Sequence, residues 1–74
     1  MKYEIYAATD KKDGAESFFL VKPSTGEAVS IYLLIESQID YLFEHAELID
    51  ASGGWFTSAE MMGDDKVLLR EFEV

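Results

Sequence analysis

The sequence predicts an α+β fold: an antiparallel sheet of three to five strands with one main α-helix packed on a face. Three observations predict this class. Short strand-like segments are separated by an Asp-Gly turn and a Pro-x-x-Gly turn, which favour neighbouring antiparallel strands. One later stretch repeats apolar residues at helical spacing. Apolar residues make up 49% of the chain and aromatic residues 14%, a composition typical of a folded core and not of an acidic disordered chain.

The first half of the chain predicts a three-stranded antiparallel meander. Tyr3, Ile5 and Ala7 alternate along the first segment, which is the pattern of a strand with one buried face. The next two segments are rich in the Val, Ile, Phe and Tyr residues that strands favour. Gly14 and Gly26 supply the backbone angles that the two intervening turns need. The strands and turns occupy, in order, residues 2–9, 10–14, 17–22, 23–26 and 27–35.

The main helix is predicted to begin at Ser37. Ser37-x-x-Asp40 approximates a capping box, with Asp in place of Glu or Gln. An apolar stripe follows at helical spacing, formed by Ile39, Leu42, Phe43 and Ala46. An alternative begins the helix at Ser30, since Ile31, Leu34 and Ile35 extend the stripe. Strand followed by helix is preferred, because Ile31-Tyr32 favours a strand and Ser37 is the better cap.

The remainder of the chain completes one small domain, residues 1–74. The helix is predicted to end at Ser52-Gly53-Gly54. Residues 55–63 are predicted to be irregular, with a short helical turn near 58–62, and residues 67–74 predict a last strand. A chain of 74 residues buries only roughly 60% of its unfolded surface, which leaves little room for a substrate cleft.

Negative charge is concentrated in one part of the sequence. Acidic residues outnumber basic ones 15 to 6, for a net charge of −9. Residues 1–22 are neutral, whereas residues 23–65 hold nine acids and neither Lys nor Arg. These nine carboxylates are therefore expected to have no local basic partner. The charge argues against direct binding to nucleic acid and to anionic membranes, which attract clustered Lys and Arg, and it points to a basic protein partner.

The predicted helix concentrates acids on one flank. Asp40, Glu44 and Glu47 fall together beside the apolar stripe, and Glu36 joins them if the helix extends back that far. Such a row can imitate phosphates to a basic groove, while the alternative is a plain solvated helix face. The predicted partner-binding set also includes a further acid and two apolar anchors, whose alternative role is core packing: Asp50, Trp55 and Phe56.

Other chemistry finds little support in the sequence. His45 is the single histidine and there is no cysteine, so a transition-metal site would have carboxylates alone. The Asp-containing turns lack the ligand ladder of a calcium loop. No phosphate-binding glycine loop or nucleophile elbow is present. We therefore expect a non-enzymatic protein that uses no metal and no cofactor.

Location and assembly follow from simpler features. The absence of cysteine, of an apolar leader at the N-terminus and of any stretch long enough to span a membrane predicts a cytoplasmic, soluble protein. A small open sheet has unpaired edges, so a homodimer joined edge to edge is possible. Tyr3, Tyr6 and Tyr32 are candidates to line that contact.

In size and charge, over its whole length, the chain resembles the small acidic proteins of phages and mobile elements. Those proteins, among them anti-CRISPR, anti-restriction and DNA-repair inhibitors, block host nucleic-acid enzymes by occupying their DNA- or RNA-binding sites. Glu36-Ser37 is similar to the acidic-serine element of uracil-DNA glycosylase inhibitors, and no site is carried over from that family. The resemblance implies an inhibitor that docks on a basic surface. The alternative is a structural or adaptor module that binds a protein through an apolar loop or a sheet edge.

Overall fold

The computed structural model, which describes residues 1–32 and 35–74, has one five-stranded antiparallel sheet and one α-helix, and the predicted α+β class is confirmed. The order of the strands across the sheet is β4-β3-β2-β1-β5. The elements are β1 (Lys2–Thr9), β2 (Glu16–Lys22), β3 (Glu27–Tyr32), α1 (Ser37–Ser52), β4 (Thr57–Ser58), a 3₁₀ turn (Ala59–Met61) and β5 (Val67–Glu73). Within the described ranges, no helix is long and apolar enough to cross a membrane.

The first three strands form the predicted meander. β1 pairs with β2, and β2 with β3, each antiparallel and in continuous register. The turn between β1 and β2 places Gly14 at a φ of +74°, which a residue without a Cβ adopts without strain. Asp13 supports this turn, since its carboxylate accepts the backbone N–H of Ala15 at 2.9 Å. The Asp-Gly pair therefore acts as predicted.

Each face of the sheet carries its own apolar cluster. The face beneath α1 buries side chains from the first three strands against the helix: Tyr3, Ile5, Phe18, Leu20 and Val29 with Leu42 and Ala46. The opposite face is covered by the chain after β4 and buries Ala8, Phe19, Val21, Ala28 and Met62. β2 is consequently buried on both faces over five consecutive residues, which explains why four of them in succession, residues 18–21, are apolar.

The helix begins at the predicted residue, Ser37, but it is not capped in the predicted way. β3 ends at Tyr32 and α1 begins at Ser37, so the alternative helix start at Ser30 is wrong. Of the predicted strand end at 33–35, Leu33 and Leu34 lie outside the described residues, and Ile35 is exposed and not in a strand. The predicted capping box is also wrong. Glu36 already has helical backbone angles and takes the cap position, and no side chain caps the helix.

The helix ends where the glycines predict. Gly53 has left-handed angles, and its N–H donates to the carbonyl of Asp50 while that of Gly54 donates to Ile49. This pair of bonds is a Schellman motif, which satisfies carbonyls that the last helical turn leaves open. The predicted helical turn after it is a 3₁₀ turn. Two residues predicted as irregular, Thr57 and Ser58, instead form β4, because they pair with Glu27 and Ala28 of β3.

β5, the last strand in the chain, pairs antiparallel with β1, the first. The predicted last strand is thus confirmed to within one residue at its end. The register shifts by one between Ile5 and Tyr6, which leaves Leu69 as an extra residue on β5. Such a bulge bends the strand and changes which side chains face each side of the sheet.

Candidate functional site

Four of the five acids predicted for partner binding form a row along α1, the first of them at its N-cap. We call Glu36, Asp40, Glu44 and Glu47 the acidic flank, and all four are exposed. α1 is held to the sheet by Leu42 and Ala46, the two helix residues that are buried. Residues three and four apart share one side of a helix. Packing of Leu42 and Ala46 against β1 and β2 therefore presents this row to solvent.

The acidic flank lies on the β5 side of the molecule. The carboxylate of Asp40 is 3.6 Å from the guanidinium of Arg70 on β5. That guanidinium also lies 4.9 Å from the centre of the Phe43 ring, and Phe43 in turn packs edge-on against Phe72. Asp40 has no basic residue near it in the sequence, and tertiary folding brings its ion-pair partner, Arg70, from the end of the chain.

Apolar surface adjoins the acidic flank. Leu48 is 65% exposed and Phe43 40% exposed. A wide hollow of about 500 Å³ lies along this part of the helix, and Phe43, Glu44, Glu47, Leu48, Ala51 and Val74 line it. Large apolar side chains beside charged ones are the mixture found where a protein anchors a partner. The sequence prediction did not place Phe43 and Leu48 on this surface, since helical periodicity assigns Phe43 to the buried stripe.

Asp50 has a different position from the rest of the predicted set. Its carboxylate accepts the hydroxyl of Tyr3 at 2.7 Å, the ammonium of Lys22 at 3.0 Å and the indole N–H of Trp55 at 3.2 Å. Its side chain is 17% exposed. These bonds join the end of α1 to β1, β2 and the chain after the helix. Asp50 is therefore engaged within the fold, and its part in partner binding stays a prediction.

The Asp50 network also explains two pKa shifts. Hydrogen bonds from Tyr3 and Lys22 stabilise the carboxylate and lower the pKa of Asp50. Burial and the hydrogen bond to Asp50 raise the pKa of Tyr3 to about 12. Both shifts favour the state in which Asp50 is charged and Tyr3 is neutral. The basic partner of Asp50 is Lys22, which lies outside residues 23–65 and 28 positions away in the sequence.

Trp55 and Phe56, predicted together as apolar anchors, point to different places. Trp55 packs against the core beneath α1, with its ring centre 6.4 Å from that of Tyr3. Phe56 is 69% exposed and its N–H donates to the carbonyl of Ala28 on β3. β3 lies near one end of the strand order and β5 at the other end. The structure therefore does not bring Phe56 together with the acidic flank.

A second hollow lies near Phe56, with a volume of about 220 Å³. Its polar wall includes Asp10, which is buried and accepts the N–H of Lys12 at 2.9 Å and the hydroxyl of Ser30 at 3.3 Å. The turn and the strand thus already satisfy this carboxylate. Across residues 1–32 and 35–74, no three His, Asp or Glu side chains come together in a way that could hold a metal ion.

Comparison with known protein families, with characterised proteins and with solved structures found no match to this chain.

Proposed function

We propose that this chain is a non-enzymatic binding protein that inhibits a partner by covering a basic, nucleic-acid-binding surface with its acidic flank. The observation that carries the proposal is the exposed row of four carboxylates along α1. Among the described residues, only Asp40 of this row forms an ion pair with Lys or Arg. The row therefore presents a strong local negative potential, of the sign that a phosphate-binding groove attracts.

The energetics of the acidic flank favour a role in binding. Like charges three and four residues apart on a helix repel each other by a few tenths of a kcal/mol per pair. Glu47 lies toward the helix C-terminus, where the helix dipole also disfavours a negative charge. The flank lowers the stability of the isolated chain, and a basic partner removes this penalty on binding.

Charge alone would orient the partner, and apolar contact would add affinity. Complementary potentials accelerate encounter and set the register of a complex. Phe43 and Leu48, beside the flank, are the side chains that would anchor the partner once water is excluded. We place this activity in the cytoplasm, since a chain without cysteine needs no oxidising compartment.

Two triple variants test the proposal at equal net charge. Asp40→Lys, Glu44→Lys and Glu47→Lys together reverse the flank. Glu16→Lys, Glu60→Lys and Asp64→Lys reverse three exposed acids elsewhere. Each set raises the net charge by 6, from −9 to −3. Each variant and the native chain are immobilised, exposed to nuclease-treated cell extract and eluted with salt, and the eluted proteins are identified by mass spectrometry.

The native chain and the control variant should retain nucleic-acid-binding proteins that the flank variant loses. Added DNA or RNA should release those proteins, because it competes for the same basic surface. Binding should weaken at least tenfold between about 50 and 500 mM salt, over which the Debye length shrinks several-fold. If the flank variant retains the same proteins as the native chain, the acidic flank is not the binding surface.

One observation favours a second function, that of an adaptor module. Phe56 is the most exposed of the large apolar side chains described and lies far from the acidic flank. In an adaptor module this residue would carry the contact and the acids would serve solubility. Binding by such a module would change little with salt, and Phe56→Ser would abolish it while the triple flank variant would not.

A further inference from the structure

The outer edge of β5 is the longest unpaired strand edge in the part of the chain that the structure describes. β5 is the end strand of the sheet, contains seven residues without proline, and pairs only with β1. At the opposite end, β4 contains two residues. An unpaired edge presents free backbone N–H and C=O groups to any strand that aligns with it. Proteins commonly prevent such pairing by a short edge, proline, charged side chains or a β-bulge.

Of these protections, β5 has the bulge at Leu69 and three charged side chains, Arg70, Glu71 and Glu73. Val67, Leu68 and Leu69 form an exposed apolar run at its start. The charged residues at its centre are engaged within the chain. Arg70 turns toward Asp40 and Phe43 on α1, and Glu71 forms an ion pair with Lys2 of β1 at 3.2 Å. The edge therefore combines open backbone groups with uncovered apolar surface.

The pairing with β1 establishes which side chains share a face. One set of β5 side chains lies on the face beneath α1. In this set, Val67 is opposite Ala7, Arg70 is opposite Ile5, and Phe72 is opposite Tyr3. Leu68, Glu71 and Glu73 are opposite Tyr6, Glu4 and Lys2, on the other face. The bulge at Leu69 breaks the simple alternation. As a result, Leu68 and Glu71 share a face although they are three residues apart.

We propose that a second copy of this chain pairs antiparallel along β5, so that two five-stranded sheets join into one of ten strands. A two-fold axis normal to the sheet relates antiparallel strands and keeps each side chain on its own face. The register that matches faces sets Val67 opposite Phe72 of the partner subunit and Leu68 opposite Glu71 of the partner subunit. The same register brings Lys66 beside Glu73 of the partner subunit.

This arrangement favours a second copy over an unrelated strand because it is complementary to itself. By symmetry the Lys66–Glu73 contact forms twice, once at each end of the paired strands. The apolar residues of each copy lie along the seam, where the partner's strand excludes water from them. Both helices lie on one face of the joined sheet, and the acidic flanks, which lie on the β5 side of each copy, face each other across the seam. Their repulsion should make the dimer weaker at low salt. The inference rests on the edge of β5 and not on the proposed function.

Charge reversal tests both the pairing and its register. The native chain is measured by sedimentation equilibrium up to about 1 mM, a range that detects weak as well as tight dimers. Lys66→Glu or Glu73→Lys alone places like charges at both ends of the seam and should weaken the dimer about tenfold. The double variant should recover native dimerisation. Mixing the two single variants should form a heterodimer, because opposite charges then meet at both ends.

Controls separate a lost interface from a lost fold. Circular dichroism at low concentration should show the native spectrum for every variant. Tyr32→Lys alters an exposed side chain on β3, on the other side of the sheet, and should leave dimerisation unchanged. A native chain that is monomeric throughout overturns the proposal. So does a dimer that Tyr32→Lys disrupts, or one that the reversal of Lys66 and Glu73 neither weakens nor restores.

Discussion

At the scale of single residues, Asp50 shows how one carboxylate joins several elements. It accepts hydrogen bonds from Tyr3, Lys22 and Trp55, which come from β1, β2 and the segment after α1. Hydrogen bonds to a charged group are stronger than those between neutral groups. Asp50 therefore holds the C-terminal end of α1 on the sheet. It contributes to the position of the acidic flank even though its own oxygens face inward.

The substitution Asp50→Asn should lower the stability of the fold against urea by an amount that depends on pH. The pKa of Asp50 is lower in the folded chain than its ordinary value of 3.8. Its ionised form therefore contributes stability above about pH 4, which is lost as the pH falls through the lowered pKa. We expect a lower unfolding midpoint in urea for the variant at pH 7, and a difference from the native chain that narrows toward pH 2.

Asp64→Asn is the matched control for this measurement. Asp64 is exposed, and its replacement should leave the urea midpoint nearly unchanged at both pH values. A constant difference between the native chain and Asp50→Asn from pH 7 to pH 2 would contradict the assigned role. The destabilisation would then come from packing and not from the charge.

At the scale of elements, α1 buries only a narrow apolar strip against the sheet. Its buried residues are Leu42 and Ala46, one turn apart, while Ile39 and Ile49 are partly buried at either end. Most of the remaining helix surface is exposed, and it carries the acidic flank. Most of the stability of a short helix comes from packing of its apolar face. Contacts at this attachment therefore decide whether the flank is displayed at all.

Leu42→Ala should lower the free energy of unfolding by about 2–5 kcal/mol, the usual cost of removing a buried leucine side chain. Leu42 is only 1% exposed, whereas Leu48 on the same helix is 65% exposed. Leu48→Ala is therefore the matched control, and it should change stability by less than about 0.5 kcal/mol. Chemical denaturation measures both. Equal effects of the two variants would show that α1 packs by a different face.

At the scale of the whole molecule, the net charge of −9 is unevenly placed. Two carboxylates from the base-free part of the sequence find bases by tertiary folding, Asp40 with Arg70 and Asp50 with Lys22. The rest of the acidic flank remains on the surface. Unbalanced charge repels itself in the compact state. The molecule therefore keeps a surface that lowers its own stability.

Salt should stabilise this protein against heat. Raising sodium chloride from about 50 to 500 mM screens repulsion between exposed acids, so the melting temperature should increase. Glu44→Gln with Glu47→Gln should raise the melting temperature at low salt and make its salt dependence shallower. The expected gain is below about 1 kcal/mol, from a few like-charge pairs. A melting temperature that falls with salt would show that attractive ion pairs dominate instead.

The local elements were largely predictable because their signals lie within short windows. Alternating apolar residues predicted β1, and the 3.6-residue stripe together with Gly53 predicted α1 and its end. The acidic flank followed from the same helical spacing. The capping box failed since the turn starts one residue earlier, at Glu36. β4 was missed because two residues carry no periodic pattern and become a strand only by pairing with β3.

The sequence by itself determined four of the five strands, the helix and the row of acids, because the periods of 2 and 3.6 residues and the turn-forming glycines act locally. The tertiary structure alone decided that Asp50 and Trp55 turn inward, that Phe56 stays exposed, and that β5 lies beside β1 with an open edge. Those outcomes depend on contacts between residues far apart in the chain, such as the 47 positions between Tyr3 and Asp50. No local pattern encodes which distant partner a residue meets.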